Sequence, residues 1–209
     1  MSNDKLIEPT TDEQKVSYGF GLQFGEQLFN NKFAGMDVEF IKLGLEHALL
    51  QQPSIVDDTA MNNAYRKIHD QRQSQQHAQT KELRAEGENF LTQNAQREGV
   101  VTTASGLQYE IIVAGSGEKP ELTSTVSTHY HGTFIDGRVF DSSVQRDEPA
   151  SFPVDGVISG WTEALQLMSV GSKWRLFVPS DLAYGEQGAG GAIPPHTALI
   201  FEVELLEIL

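Results

Sequence analysis

Apolar positions change their period twice along the chain. Between residues 10 and 52, Val16, Phe20, Phe24 and Leu28 recur at helical intervals behind Thr10 and Glu13, which have the spacing of a capping box. Val38, Ile41, Leu45, Ala48 and Leu49 form a second stripe, opening near Asp37 and stopping at Gln51-Gln52-Pro53. The pattern predicts a helical hairpin. Gly19, Gly21 and Gly25 lie among apolar residues on more than one face of the first helix. Each glycine costs roughly 1 kcal/mol in a helix interior, a loss that close helix packing would offset. A hairpin of about 45 residues rarely buries a core alone, so a second copy is expected to cover it.

From about Asp57 to Arg97 the chain turns polar and Gln-rich, with good helix formers, no proline, and Gly99 placed as a stop. This predicts one long helix. Met61, Tyr65 and Ile68 give its first turns a packing stripe, Leu83, Phe90 and Leu91 give its last turns another, and the middle is almost wholly polar. About 40 residues at 1.5 Å each would span roughly 60 Å, the length of a spacer arm.

After Gly99 the period becomes two. Leu107, Tyr109, Ile111 and Val113 alternate, as do Trp174, Leu176 and Val178, and then Leu199, Phe201, Val203 and Leu205. Thr128 to Phe134 and Arg138 to Asp141 flank Asp136-Gly137, the residues of a tight hairpin turn. One short helix runs from about Trp161 and ends before Gly171. The expected fold class is α+β, an antiparallel sheet packed on one short helix. The expected domains are a helical region over 1–55, a linker helix over 56–99 and a sheet domain over 100–209.

Composition narrows the chemistry. The 209 residues are 39% hydrophobic and 21% charged, which is the balance of a globular chain, and no stretch has the length of apolar residues that a membrane span needs. A net charge of −14 repels phosphate backbones and anionic lipids, so neither nucleic acid nor membrane is expected as a partner. The opening MSNDKLIEPTTDEQ lacks the basic and apolar segments of a secretory signal, and the expected compartment is cytoplasmic. Without cysteine there is no thiolate nucleophile or disulfide. No nucleophile-elbow, zinc-protease or phosphate-loop motif is present, and the carboxylates have no catalytic pairing. His129 and His131 share one face of a strand, but two histidines without a third ligand nearby do not make a metal site. No metal or cofactor is expected.

What remains is apolar: Tyr130, Phe140, Phe152, Val157, Ile158, Trp161, Tyr184, Ile193 and Phe201, with Asp141 among them. Taken singly, each aromatic reads as core. Three ordered blocks change that reading: HYHGTFIDGRVFDSS, VISGWTEALQLMSVG and VPSDLAYGEQGAGGAIPPHTALIFEVELLEI. Through them the C-terminal 110 or so residues resemble the FK506-binding class of peptidyl-prolyl isomerases. The resemblance implies a strongly curved sheet wrapped on the helix, with an apolar pocket between them. It assigns Tyr130, Phe140, Asp141, Val157, Ile158, Tyr184, Ile193 and Phe201 to the pocket walls and Trp161 to its floor, and sets Arg146 beside Asp141. Phe152 joins this substrate-binding set, and Asp141, Tyr184 and Phe140 are the residues expected to act on the reaction. Residues 184–197 become a flap, where glycines let the backbone bend and Pro194-Pro195 fixes its return to the sheet. The chain departs from the small members at Ala150, where an aromatic often lies, at Leu182, in place of tyrosine, and at Ala189 and Ala192, which replace bulkier residues.

The N-terminal layout further resembles the dimeric two-domain bacterial members of the macrophage infectivity potentiator type. This implies a homodimer joined through its N-terminal domains, acting on proline-containing unfolded or partly folded proteins, with FK506 and rapamycin as inhibitors. The implied reaction is rotation about an X-Pro bond over a barrier near 20 kcal/mol, in which no bond breaks and neither nucleophile nor metal is needed. Tyr184 and the Ile158 backbone would hold substrate carbonyls, while Asp141 would either act on the twisting amide or position Tyr130 and Arg146. A second class of function fits the same features: a dimeric holdase-type chaperone, or peptide-binding module, with incidental isomerase activity.

Overall fold

The computed structural model describes residues 8–209. The first helix, α1, spans Asp12–Asn30. Its capping box lies one residue later than the Thr10 and Glu13 expectation, because the residue three positions into the helix is Gln14. The Gln14 N–H donates to the Thr11 hydroxyl at 3.3 Å, and the Gln14 amide oxygen accepts from the N–H groups of Thr10 and Thr11 at 2.9 and 3.2 Å. The second helix, α2, spans Val38–Leu49, with the Asp37 carboxylate accepting from the Glu39 N–H at 2.8 Å. The long helix α3 spans Asp58–Asn94.

The described residues form two compact units that divide after Ser74, within α3. This differs from the expected boundaries at 55 and 99. The reason lies in the last turns of α3, where Gly87 and Asn94 are buried and Leu83, Phe90 and Leu91 half-buried, so that this part of the helix belongs to the sheet unit. The helix also ends three residues before Arg97. Arg97 N–H donates to the Asn94 carbonyl at 3.0 Å, tightening the exit, and Gly99 follows at φ +85°.

In the N-terminal unit, α1 and α2 bury no residue, and Phe20, Phe29 and Phe40 are 57, 72 and 69% exposed. A Cβ placed on Gly19, Gly21 or Gly25 would touch nothing within 4 Å. Packing within one chain therefore does not account for these glycines.

The second unit is built on seven antiparallel strands: β1 (Val100–Thr102), β2 (Gln108–Val113), β3 (Thr125–Phe134), β4 (Val139–Ser142), β5 (Ala150–Pro153), β6 (Lys173–Val178) and β7 (Leu199–Ile208). Their order is β1-β2-β6-β7-β3-β4, with β5 pairing beside β4 along β3. The long strand β3 thus pairs with β7 over Val126–Phe134, with β5 at one end and with β4 at the other. The short helix α4 (Ser159–Leu167) buries Trp161, Ala164 and Leu165 in a core that also holds Leu107, Leu176 and Val203. Alternation puts one face of each strand there. The β3–β4 connection is a three-residue loop rather than a two-residue one. Phe134 N–H donates to the Arg138 carbonyl and Gly137 N–H to the Phe134 carbonyl, with Gly137 at φ +86°.

Candidate functional site

Aromatic side chains from four strands gather around Trp161, which α4 holds in the core at 4% exposure. Tyr130 from β3, Phe152 from β5 and Phe201 from β7 meet its indole edge-on, with ring centroids 5.5, 5.9 and 5.4 Å away. Phe140 from β4 extends the set, edge-on to Phe201 at 5.5 Å and tilted against Phe134 at 5.3 Å. Such tilted and edge-on pairs match the positive rim of one ring to the negative face of the next. Val157, Ile158 and Ile193 pack on the same cluster, Ile193 being buried and the other two half-buried.

Gly132 makes this convergence possible. A Cβ there would lie 2.6 Å from Phe140 Cζ and 3.1 Å from Phe201 Cε1. A glycine inside a strand is the sequence signal for such close approach.

On the polar side of the shell, the Tyr130 hydroxyl donates to Asp141 Oδ2 at 2.5 Å. Arg146 donates to Asp141 Oδ1 through Nη1 and to the Tyr130 hydroxyl through Nη2, the latter at 2.9 Å. Burial opposes ionisation of Asp141, but the hydrogen bonds from Tyr130 and Arg146, the Arg146 charge and the Ser142 N–H together hold its carboxyl below the ordinary range. Burial, and then the neighbouring carboxylate, push the Tyr130 hydroxyl up. Neither group changes charge near neutrality. The turnover profile should be flat from about pH 6 to 8 and fall only as pH drops through the lowered Asp141 value, where the stabilisation from its charged form, complete above the ordinary carboxylate pKa, is lost. An inflection near pH 7 in the rate of peptide isomerisation would contradict this.

Ser143, absent from the sequence expectations and fully buried, fixes Tyr130 from behind. Its Oγ accepts from the Tyr130 N–H at 2.7 Å, and its own N–H donates to the Tyr130 carbonyl at 3.0 Å. His129 and His131 pair through Nδ1 with the Ser143 and Ser142 hydroxyls at 3.1 and 2.9 Å. Among the described residues no three metal-ligating side chains come together.

Residues 184–197 form a loop with closed feet. His196 N–H donates to the Gly185 carbonyl at 2.8 Å, and Ala189 and Ile193 exchange both backbone hydrogen bonds. Gly185, Gly188, Gly190 and Gly191 all have positive φ, and a Cβ on Gly188 would collide with the Ile193 carbonyl at 2.2 Å. Tyr184 sits at the start of the loop, 38% exposed, and reaches Asp141 only through its charge. Three donors around the shell have no acceptor among the described residues. They are the buried Trp161 Nε1–H, the Tyr184 hydroxyl and the Ile158 N–H, which precedes the first turn of an α4 that has no side-chain cap.

Residues 116–206 match the sequence profile of the FKBP-type peptidyl-prolyl cis-trans isomerases, and residues 13–111 that of the domain amino terminal to FKBP-type peptidyl-prolyl isomerase. The chain is 49% identical over 206 residues to the FKBP-type 22 kDa peptidyl-prolyl cis-trans isomerase of Escherichia coli, covering 98% of this chain and 100% of that one. It is 40% identical over 203 residues to the outer membrane protein MIP of Legionella longbeachae, covering 95% and 87%. Among solved structures it resembles FkpA of Escherichia coli with a TM-score of 0.70 at 34% identity, over 96% of this chain and 98% of that one. With two family profiles spanning nearly its whole length and a relative 49% identical over 98% of it, the chain belongs to the FKBP-type peptidyl-prolyl cis-trans isomerases.

Proposed function

We propose that the X-Pro bond rotates within the aromatic shell around Trp161. The observation that carries this reading is the contrast between spent and unspent polar groups. Asp141, Arg146 and Tyr130 satisfy one another, whereas Trp161 Nε1–H, the Tyr184 hydroxyl and the Ile158 N–H still have donors to offer. An apolar surround disfavours the charge-separated planar amide relative to the twisted one. The donors hold the substrate carbonyls on either side of the turning bond. Phe140 and Phe201 wall the prolyl ring, with Val157, Ile158 and Ile193 completing the enclosure.

Asp141 acts by positioning in this scheme, because its charge is already engaged by Arg146 and Tyr130. Asp141→Asn should therefore lower kcat/KM by about tenfold without abolishing it, as the loss of a hydrogen-bonded positioning group does. Complete loss in a folded variant would assign the carboxylate a direct role. The shell itself is tested by Phe140→Ala, which removes a half-buried wall. A folded Phe140→Ala protein that turns over a proline-containing tetrapeptide at the wild-type rate would rule out this site.

The same reading extends to partners. The clients are unfolded or partly folded proteins that present X-Pro bonds, and macrolides of the FK506 and rapamycin type would compete for the shell. The exposed apolar side chains of the N-terminal unit support a homodimer formed through that unit. Phe40, Met61 and Tyr65 among them line, with the half-buried Phe33 and Ile41, a groove of about 1210 Å³. A holdase-type chaperone activity would use the same surfaces secondarily. A cytoplasmic site of action belongs to this reading too, and cell fractionation tests it, a periplasmic or surface pool overturning it.

A further inference from the structure

The loop of residues 184–197 is carried on two feet; the last turns of α3 pack against the outgoing one and face the incoming one with a charge. At the outgoing foot, a Cβ on Gly87 would meet Ala198 Cβ at 3.1 Å and Ala198 N at 3.6 Å. Ala198 is itself 3% exposed. One turn further along the helix, Phe90 packs against Phe177 of β6 with ring centroids 6.0 Å apart. At the incoming foot, Arg84 is held charged first by Glu88, and then by the carboxylates of Asp181, just before the loop, and Glu186, within it. Asn94 locks the end of the helix in place. Its Nδ2 donates to Gln108 Oε1 at 2.8 Å, and Gln108 Nε2 donates to the Leu91 carbonyl at 2.9 Å, with both side chains buried.

The outgoing foot cannot absorb a displacement locally. Thr197 Oγ donates to the Pro194 carbonyl at 2.8 Å, and His196, a non-glycine at φ +54°, donates its N–H to the Gly185 carbonyl. A shift at Ala198 therefore passes to Pro194, to Gly185 and through them to Ile193 and Tyr184.

We propose that Gly87 is a positioning residue for the isomerase reaction: its missing side chain lets α3 seat on Ala198, and the seated helix sets the height of the 184–197 loop over the substrate. This rests on the reading of that loop as the flap of the site. The long helix is then not a plain spacer but a support for the flap, and substrate affinity depends on whether its last turns are docked.

The test uses the full-length chain. Gly87→Val places a branched side chain against Ala198, and the KM for a proline-containing tetrapeptide should rise about tenfold while kcat stays within about twofold. Amide exchange at Ala189 and Ile193, whose N–H groups bond across the loop, should accelerate in the same variant. Ala198→Gly added to Gly87→Val restores space at the contact and should recover most of the loss in KM, a double-mutant coupling that a helix defect alone would not produce. Gly87→Ala serves as a milder second variant, since alanine favours the helix while still crowding Ala198. An unchanged KM in folded Gly87→Val overturns the inference, and so does a loss that Ala198→Gly fails to rescue. Phe140→Ala is measured alongside. If it loses turnover while Gly87→Val does not, the docking inference falls alone; if it too keeps wild-type turnover, the site reading falls and takes this inference with it.

Discussion

Trp161→Ala is expected to lower the unfolding free energy of the sheet unit by about 3–5 kcal/mol and to leave no measurable isomerisation. The indole is 4% exposed and is met edge-on by Tyr130, Phe152 and Phe201, so its removal opens a cavity that rings fixed on three different strands cannot fill. Collapse would need those strands to approach α4, and β3 and β7 are held in register along Val126–Phe134. The same truncation removes the floor of the shell and one of its three unspent donors. Urea unfolding of the full chain measures the effect directly, because the remaining indole, Trp174, stacks on Tyr109 and reports on the sheet. A loss below about 1 kcal/mol would mean that the site relaxes around the deletion.

Residues 75–209 alone are expected to fold as a monomer and to isomerise short peptides with the kcat/KM of the full chain, whereas residues 100–209 should be destabilised by roughly 3 kcal/mol or more. The shorter piece loses Phe90 and Leu91 from the sheet, uncovering Phe177 and Ala198, and strips Gln108 of its bonds to Asn94 and the Leu91 carbonyl. Both effects act on the folded state. Catalysis of proline-limited protein refolding should fall in either piece, since a client gripped at one site meets a second at high effective concentration only when two chains are joined. Light scattering, thermal unfolding and paired peptide and refolding assays separate these outcomes. Equal stability of the two pieces would remove the α3 end from the catalytic fold, and equal refolding by residues 75–209 and the full chain would sink the two-site account.

The sequence made the elements legible where one face alone is buried. The alternation of Leu199, Phe201, Val203 and Leu205 marks a strand because the intervening residues stay half-exposed. It was less informative where a second layer covers the other face. In β6, Phe177 is buried on the side opposite Leu176, against Phe90, so strict alternation breaks at 177. The packing stripe of Phe90 and Leu91 was legible in the helix, but its period does not say that Phe177 is the partner. In the site, the aromatic members could be matched to family positions, while Gly132 is marked only by standing inside a strand and Ser143 by no pattern at all. Each acts through what it leaves empty or what it bonds from behind, and neither property has a period.

The placement of β7 bears on how the molecule is made. It is the last strand in chain order, yet it lies inside the sheet between β6 and β3, with Val126 facing Ile208 and Lys173 facing Glu204. A ribosome adding about 5–20 residues per second completes β3 several seconds before its main partner exists. Through that interval Val126, Tyr130 and Leu176 have no central strand to cover them, and the shell around Trp161 lacks Phe201. The backbone hydrogen bonds of the N-terminal helices are local and can form early, but the catalytic unit must wait for its long-range pairing. An enzyme that speeds the maturation of other chains is thus bound to mature late itself, after translation has delivered β7.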